Sequence, residues 1–242
     1  MKPLIVGNWK CNPESLKEAQ KLFLELNKRM PKKAQAVVCP SFIFLKDLAA
    51  RKSALQLGAQ NCFYQSGAFT GEISVKMLKN LGVKYVIIGH SERRALGETD
   101  KLINLKLKAV LKEKLIPILC IGESKKDRQN NRTALKLKNQ LKKDLKGIKF
   151  SKMVIAYEPI WAIGSNNPCR VEEATVTKLL IKKYLREVFS NKKAEEIKIL
   201  YGGSVNKKNA SLYIKDAKMD GLLIGGASLK AKEFIDILKQ FC

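Results

Sequence analysis

Three side chains capable of acid–base chemistry each follow a short apolar run in the sequence. Lys10 comes shortly after Leu-Ile-Val-Gly, His90 directly after Tyr-Val-Ile-Ile-Gly, and Glu158 directly after Met-Val-Ile-Ala-Tyr. A carboxyl group at the end of an apolar segment loses hydration, and this loss raises its pKa towards the range useful for a general base. The sequence therefore predicts that Glu158 is the group that moves a proton.

His90 and Lys10 each have a functional and a structural interpretation. His90 is the sole histidine of the chain, and the start of a helix after it would keep the imidazole neutral and able to donate a hydrogen bond. Alternatively, it makes only a structural hydrogen bond. Lys10 needs an anion nearby, which is either an oxygen-rich ligand that Asn8 also contacts or an acidic neighbour. One histidine excludes a histidine metal cluster, so no metal and no cofactor is predicted.

Two glycine pairs lie near the end of the chain, in Tyr201-Gly-Gly-Ser204 and Ile224-Gly-Gly-Ala-Ser228. Glycines let backbone N–H groups approach an anion closely, and a following helix N-terminus adds a favourable dipole. One such pair is a weak signal, because glycines often end strands. Two pairs after the last two strands of a barrel match the recurrent phosphate site of that fold. A small phosphorylated substrate is the ligand that they predict.

The segment after Glu158 is unusually apolar for a loop, since it contains Ile160, Trp161 and Ile163. An apolar loop beside a carboxylate suits a lid that closes over substrate and excludes water. A packed loop without motion is the alternative interpretation. With no nucleophile triad and no dinucleotide fingerprint, proton transfer next to a carbonyl is the simplest chemistry that these residues could perform.

Short apolar runs that do not alternate with polar residues predict parallel strands buried on both faces. Eight are found, separated by stretches of helical period, and eight strand–helix units in 242 residues predict an α/β fold, a closed (β/α)8 barrel of eight parallel strands with outer helices, as one domain over residues 1–242. An open doubly wound sheet is the alternative. The predicted strands are Leu4–Gly7, Ala36–Cys39, Leu55–Gln60, Tyr85–Ile88, Ile116–Ile121, Met153–Tyr157, Ile197–Leu200 and Gly221–Ile224.

The predicted helices lie between these strands, and some carry recognisable start signals. Ser74 and Asp100 are expected to cap their helices, and Pro13 suits a first helical turn. In the first helix, Leu16 and Phe23 belong to a predicted inward stripe. The predicted helices are Pro13–Arg29, Phe42–Ala50, Ser74–Leu81, Lys101–Lys112, Asp127–Lys146, Val171–Phe189, Lys207–Ile214 and Ala231–Gln240.

The charge balance of the chain is extreme, with 47 Lys and Arg against 22 Asp and Glu, a formal net charge of +25. Such an excess concerns anionic partners and steering rather than fold. Nonspecific contact with nucleic acid is one interpretation, and a basic binding protein without catalysis is the second function class. Only eight of the basic residues are Arg, the residue that groove readers prefer. Solvated helix faces are therefore favoured. The lack of a signal peptide pattern, membrane span or Cys-x-x-Cys pair predicts a cytoplasmic protein.

The motifs at the predicted strand ends resemble those of the triosephosphate isomerase family, in order and from residue 7 to residue 228. Because linked motifs at ordered spacing do not arise together by chance, the resemblance is specific. It covers Asn8-x-Lys10, Ala59-Gln-Asn61, Gly67-Ala-Phe-Thr-Gly-Glu72, Gly89-His-Ser-Glu-Arg-Arg94, Cys120-Ile-Gly-Glu123, Tyr157-Glu-Pro-Ile-Trp-Ala-Ile-Gly164, Tyr201-Gly-Gly-Ser204 and Gly225-Gly-Ala-Ser228.

The resemblance implies a (β/α)8 TIM barrel that interconverts dihydroxyacetone phosphate and D-glyceraldehyde 3-phosphate in glycolysis and gluconeogenesis. By resemblance, Glu158 moves the proton, His90 polarises the carbonyl and Lys10 offsets the developing negative charge. The substrate would further contact Asn8, Gly164, Ser204, Gly225 and Gly226.

The resemblance also implies supporting residues and a homodimer. Ser91 and Glu92 would support the catalytic groups from behind, Glu92 as the partner of Lys10. Thr70, in the segment 67–72, would reach the partner's site near Cys11. The lid departs from the family pattern over residues 165–169, Ser-Asn-Asn-Pro-Cys, where a proline stiffens the hinge.

Overall fold

Eight parallel strands close into a barrel in this computed structural model, which describes residues 2–165 and 167–242. Strand β1 pairs with β2 on one side and with β8 on the other, so that Val6 lies beside both Val37 and Leu223. That closure confirms the predicted barrel and excludes the open sheet. The strands are β1 Leu4–Asn8, β2 Gln35–Cys39, β3 Gln56–Ala59, β4 Tyr85–Ile88, β5 Ile116–Ile121, β6 Val154–Tyr157, β7 Lys198–Tyr201 and β8 Gly221–Ile224.

The strands are apolar on both faces because each face meets a separate core. Alternate residues such as Val6 and Val37 fill the barrel interior, while Ile5 and Val38 pack outward against the helices. This double burial explains why the strands do not alternate with polar residues. The buried strands form a rigid frame whose carboxyl ends all face one mouth, and the loops there carry the predicted site.

Eleven α-helices surround the barrel over the described residues. Two short 3-10 turns, Ile160–Ala162 and Gly226–Leu229, follow β6 and β8. The helices are α1 Leu16–Arg29, α2 Phe42–Ala49, α3 Val75–Asn80, α4 Ser91–Ala95, α5 Asp100–Lys112, α6 Lys125–Gln129, α7 Thr133–Asp144, α8 Val171–Val188, α9 Asn191–Glu196, α10 Ala210–Lys215 and α11 Ala231–Lys239.

Several helix starts differ from the predictions because a side-chain cap at another position is used. Helix α1 begins at Leu16 behind the Ser15 cap, so Pro13 lies before it, and Leu16 is exposed rather than inward. Helix α5 is capped by Thr99, which makes Asp100 its first residue rather than its cap. The predicted Ser74 cap of α3 is confirmed. Hydroxyl and carboxyl caps satisfy the same backbone donors, and the chain offers several neighbouring candidates.

The predicted helix over Asp127–Lys146 is wrong, since two helices, α6 and α7, occupy this region. Ser124 and Asp127 form a reciprocal capping box that starts α6 earlier. Asn131 then takes a left-handed φ of 55° and breaks the helical path before α7 begins. Asparagine tolerates this conformation better than most residues. Among the described residues, no helix is long and apolar enough to cross a membrane.

Candidate active site

The predicted site residues from five parts of the chain line one cavity of about 300 Å³ at the carboxyl ends of the strands. Lys10, His90 and Glu158 enter it from the ends of β1, β4 and β6. The loops after β6, β7 and β8 provide most of the remaining lining. The other predicted residues that line the cavity are Asn8, Gly164, Ser204, Gly225 and Gly226.

Glu158 is 2% exposed and is held by two donors. Its Oε1 atom lies 3.0 Å from Nε2 of His90, and the backbone N–H of Ser91 donates to Oε2 at 2.9 Å. Burial raises the pKa of this carboxyl, but the charge and hydrogen bond of His90 and the Ser91 N–H outweigh burial, so its pKa lies below the ordinary value. The predicted upward shift is therefore wrong for this geometry, because the sequence did not show that two donors meet the carboxylate.

His90 caps helix α4, and this position determines which ring nitrogen carries a proton. Its Nδ1 atom accepts a hydrogen bond from the backbone N–H of Glu92 at 3.3 Å. In the neutral ring this leaves the proton on Nε2, which donates to Glu158, as a neutral donor should. Burial lowers the pKa of His90, but Glu158 and Glu92 raise it, and the net shift is upward. The carboxylates thus oppose the predicted lowering by the helix.

Lys10 lies in the left-handed region with a φ of 54°, held there by hydrogen bonds to its backbone. Its N–H donates to Asn8 Oδ1 at 3.0 Å, and its carbonyl accepts from Gln60 Nε2 at 2.7 Å and from the Ser41 hydroxyl at 3.1 Å. Because non-glycine residues rarely adopt this conformation, these contacts fix the direction of the side chain. Ser41 was missed by the sequence analysis, and no local signal marks it.

The Lys10 ammonium contacts an acidic neighbour and also lines the cavity. Its Nζ atom lies 2.5 Å from Oε1 of Glu92, a carboxylate that is half exposed. The acidic neighbour of the second interpretation is therefore present, while contact of Lys10 with a ligand stays a prediction. Since the pair is reached by solvent, the carboxylate orients the ammonium without burying two charges. Glu92 lies beside the cavity rather than in its lining.

The rest of the cavity lining comes mainly from the loops after β6, β7 and β8. Gly225 packs on the Lys10 stem, since a Cβ there would lie 3.4 Å from Lys10 Cε. Ser228 supports this loop from below, because its hydroxyl donates to the Gly225 carbonyl at 2.7 Å. Gly164 has a positive φ of 65°. Backbone N–H groups in such glycine loops suit a phosphate.

The segment after Glu158 is anchored through a carboxylate beneath it. Glu123 is fully buried, and its Oε1 atom accepts from Trp161 Nε1 at 2.8 Å and from the Tyr157 hydroxyl at 3.1 Å. Arg128 lies over the Trp161 ring at 4.3 Å from its centroid. Burial raises the pKa of Glu123, which these donors offset in part. The role of Arg128 was missed, because only the fold brings it to this loop.

The remaining lid residues are described in part. The Asn167 N–H donates to the Ser165 hydroxyl at 3.1 Å. Asn166 lies outside the described residues. Closure of the lid stays a prediction, and the Trp161 anchor shows that one end of the segment is packed.

Thr70 lies on an exposed loop that does not line the cavity of its own chain. Phe69 beside it is 39% exposed and packs on Phe63 at a centroid distance of 4.6 Å. A second cavity of about 230 Å³, next to Lys10, is lined in part by Cys11 and Phe42. The structure therefore leaves the loop and this cavity separate in one chain.

The chemistry that the main cavity supports is proton transfer within a small anionic substrate. The buried carboxylate of Glu158, the imidazole of His90 with its proton on Nε2, and the ammonium of Lys10 line the same cavity as backbone donors suited to phosphate. In the described part of the chain, no group of three or more His, Cys, Asp or Glu side chains could hold a metal ion. The closed barrel and this cavity together define the class of barrel-fold aldose–ketose isomerases that act on phosphorylated substrates.

Comparisons with known proteins agree with this class. The sequence profile of the triosephosphate isomerase family matches residues 3–241. Triosephosphate isomerases of Dehalococcoides mccartyi and Alkaliphilus oremlandii are each 44% identical to this chain, covering 98% of it and 95% and 98% of their own lengths. One from Clostridium botulinum is 43% identical over 97% of the chain and 98% of its own length.

The chain belongs to the triosephosphate isomerase family. This confirms the resemblance of its motifs and the activity expected from it, the interconversion of dihydroxyacetone phosphate and D-glyceraldehyde 3-phosphate in glycolysis. The substrate is a small triose phosphate, as the glycine pairs predicted.

Proposed function

We propose that Glu158, His90 and Lys10 carry out this isomerisation in the cavity at the barrel mouth. The observation that carries the proposal is the convergence of all three on one 300 Å³ space that faces the loops of Ser204 and Gly225. Glu158 removes a proton from the carbon beside the substrate carbonyl. Loss of this proton leaves an enediolate, whose oxygen accepts a hydrogen bond from Nε2 of His90. His90 gives its Nε2 proton to that oxygen and takes the proton of the neighbouring hydroxyl, and Glu158 returns its proton to the adjacent carbon, so that the carbonyl and the hydroxyl have exchanged places.

Glu158 must leave its present partners to act as the base. In the described geometry its oxygens are occupied by His90 and the Ser91 N–H. Moving towards substrate separates the carboxylate from these donors, and closure of the lid would exclude water from the cavity; both changes raise its pKa. The low pKa of the resting state keeps the group ionised, and the move makes it a stronger base.

The lysine and the glycine loops hold the two ends of the substrate. Lys10 reaches the cavity from the side of the catalytic pair, where an ammonium stabilises an enediolate. Gly164, Ser204, Gly225 and Gly226 would bind the phosphate through backbone N–H groups, and Asn8 would contact substrate oxygens. Binding the phosphate this way fixes the reacting carbons beside Glu158.

The test of these roles is the isomerase activity of Glu158→Gln on D-glyceraldehyde 3-phosphate. The amide keeps the shape and cannot accept the proton, so kcat should fall by about 10²–10⁴-fold. Glu187→Gln, on the outer surface of α8 where Glu187 pairs with Lys138, is the matched control and should keep wild-type turnover. Equal turnover of Glu158→Gln and wild type would reject Glu158 as the base.

We further propose a cytoplasmic homodimer in which each chain forms one barrel domain over residues 1–242. The exposed loop with Phe69 and Thr70, and the 230 Å³ cavity beside Cys11, support this proposal, because the loop exposes an apolar side chain and residues of the same loop do not line the cavity in their own chain. Thr70 would brace Asn8 and Lys10 of the partner. Sedimentation equilibrium of the purified chain should give twice the monomer mass of 27.2 kDa, and a monomer at micromolar concentration would refute the dimer.

A further inference from the structure

Both backbone polar groups of one residue at the far end of the lid, Cys169, are bound by tyrosine hydroxyls. The N–H of Cys169 donates to the Tyr201 hydroxyl at 3.0 Å. The carbonyl of Cys169 accepts from the Tyr213 hydroxyl at 2.5 Å. All three residues are at most 2% exposed, so neither backbone group has water as a substitute partner.

The two tyrosines also contact each other. Their rings are stacked with centroids 3.7 Å apart and planes 13° from parallel. Tyr201 ends strand β7, while Tyr213 comes from helix α10 on the outside of the barrel. Because Tyr213 supports one face of the Tyr201 ring, it limits the positions that the Tyr201 hydroxyl can take.

Tyr201 connects this end of the lid to the loop of Gly203 and Ser204, which is proposed to bind the substrate phosphate. A Cβ atom at Gly203 would overlap the Tyr201 hydroxyl, so the ring lies directly against the glycine loop. That loop continues into Ser204, which lines the main cavity. The chain of contacts from α10 through Tyr213 and Tyr201 thus ends on backbone next to the proposed phosphate position.

We propose that Tyr213 is a positioning residue for substrate binding, which fixes the end of the lid at Cys169 relative to the loop of Ser204. It acts through the Cys169 carbonyl and through the Tyr201 ring, and does not touch substrate. The inference rests on the proposed phosphate site and on the lid. Without the Tyr213 hydroxyl the Cys169 carbonyl is buried without a partner, and the lid end has to move to regain one.

The first test compares Tyr213→Phe with wild type in steady-state kinetics and in binding of inorganic phosphate. The substitution keeps the ring and removes only the hydroxyl. A lost buried hydrogen bond predicts about a three- to tenfold rise in KM and in the phosphate dissociation constant, with a smaller effect on kcat. Tyr184→Phe, a buried tyrosine of α8 that faces Lys138, is the matched control and should leave both constants unchanged.

A merely structural role predicts a different result. It lowers the melting temperature of Tyr213→Phe while the folded enzyme at 25 °C keeps wild-type KM and phosphate affinity, and this outcome would overturn the proposal. Tyr201→Phe adds a second check, because two hydroxyls that hold the backbone of the same residue, Cys169, should show non-additive effects on KM in the double variant. Strict additivity would also count against it.

Failure of the proposed function gives a distinct outcome. If the wild-type chain had no isomerase activity, or if Glu158→Gln kept full activity, the catalytic assignment would fail whatever Tyr213→Phe did. If wild type is active and Tyr213→Phe matches the Tyr184→Phe control in every constant, the positioning role of Tyr213 alone is rejected.

Discussion

At the scale of single residues, the site is governed by how buried charges are paired. His90 donates to Glu158 through Nε2 and accepts from a helix N–H through Nδ1. Burial lowers the pKa of His90 and raises the pKa of Glu158. The contact between the two groups acts against burial in both cases, and the net shift is upward for His90 and downward for Glu158. A pair of this kind holds the base ionised and the imidazole proton in a fixed place before substrate arrives.

Because His90 is the sole histidine, its pKa can be followed without assignment by NMR of the imidazole. Burial lowers this pKa and the Glu158 carboxylate raises it. Glu158→Gln removes the raising contribution and leaves the burial, so the pKa of His90 should be lower in the variant than in wild type. Glu92→Gln removes a weaker contribution and should lower it less.

The direction of the pKa shift of His90 also determines how its contribution to folding stability depends on pH. A histidine with a raised pKa in the folded state stabilises the protein below its unfolded pKa of about 6.5, and loses this contribution as pH rises through the folded value. An unchanged or higher His90 pKa in Glu158→Gln would contradict the assignment of the carboxylate as the cause.

At the scale of elements, strand ends are held in place by backbone packing that leaves no room for side chains. Gly122 follows β5, and a Cβ atom there would overlap the backbone carbonyl of Glu158. The N–H of Gly122 donates to the buried Gln140 side chain of α7 at 3.0 Å. The position of Glu158, directly after β6, therefore requires a residue without a side chain at position 122 in the neighbouring loop.

Gly122→Ala should lower both stability and activity, because the methyl group has to displace the β6 end that carries Glu158. Overpacking in such places costs about 1–3 kcal/mol, measured by urea unfolding, and isomerase kcat should fall with it. Gly226→Ala is the contrast: in the described part of the chain, no atom outside its own local backbone and chain neighbours lies within 4 Å of its Cβ position, so stability should be kept. Wild-type stability and kcat in Gly122→Ala would show that the strand ends adjust freely.

The elements also show what the sequence could and could not predict. Doubly buried strands have a signature in their own residues, so the barrel and its order were predicted closely. Ser15 caps α1 and Asn131 breaks the helical path before α7. Several neighbouring residues could cap or break a helix equally well, and hydrophobic periodicity does not show which of them does. The Ser41 and Tyr213 contacts join residues distant in the chain, and only the folded barrel makes them visible.

At the scale of the whole molecule, the net charge of +25 surrounds a site built for a dianionic substrate. Basic side chains reach the mouth itself, since both Lys10 and Lys230 line the main cavity. Much of the remaining excess lies on outer helices: in α7, Lys138, Lys142 and Lys143 are exposed. These lysines have few aromatic neighbours for base stacking, which favours long-range attraction of small anions over nucleic-acid binding.

Electrostatic steering predicts that kcat/KM falls steeply with ionic strength. Surface charges are screened beyond about 10 Å at 0.1 M salt, so the distant lysines lose their effect on substrate encounter first. The measurement is kcat/KM from 0.02 to about 0.5 M of a salt whose anion does not bind the site, with sucrose as a control for viscosity. Diffusion-limited turnover would show a drop with sucrose, which establishes that encounter is rate-limiting. A flat salt profile under those conditions would mean that the charge does not steer substrate, and binding of mixed-sequence DNA near physiological salt would instead favour a polyanion partner.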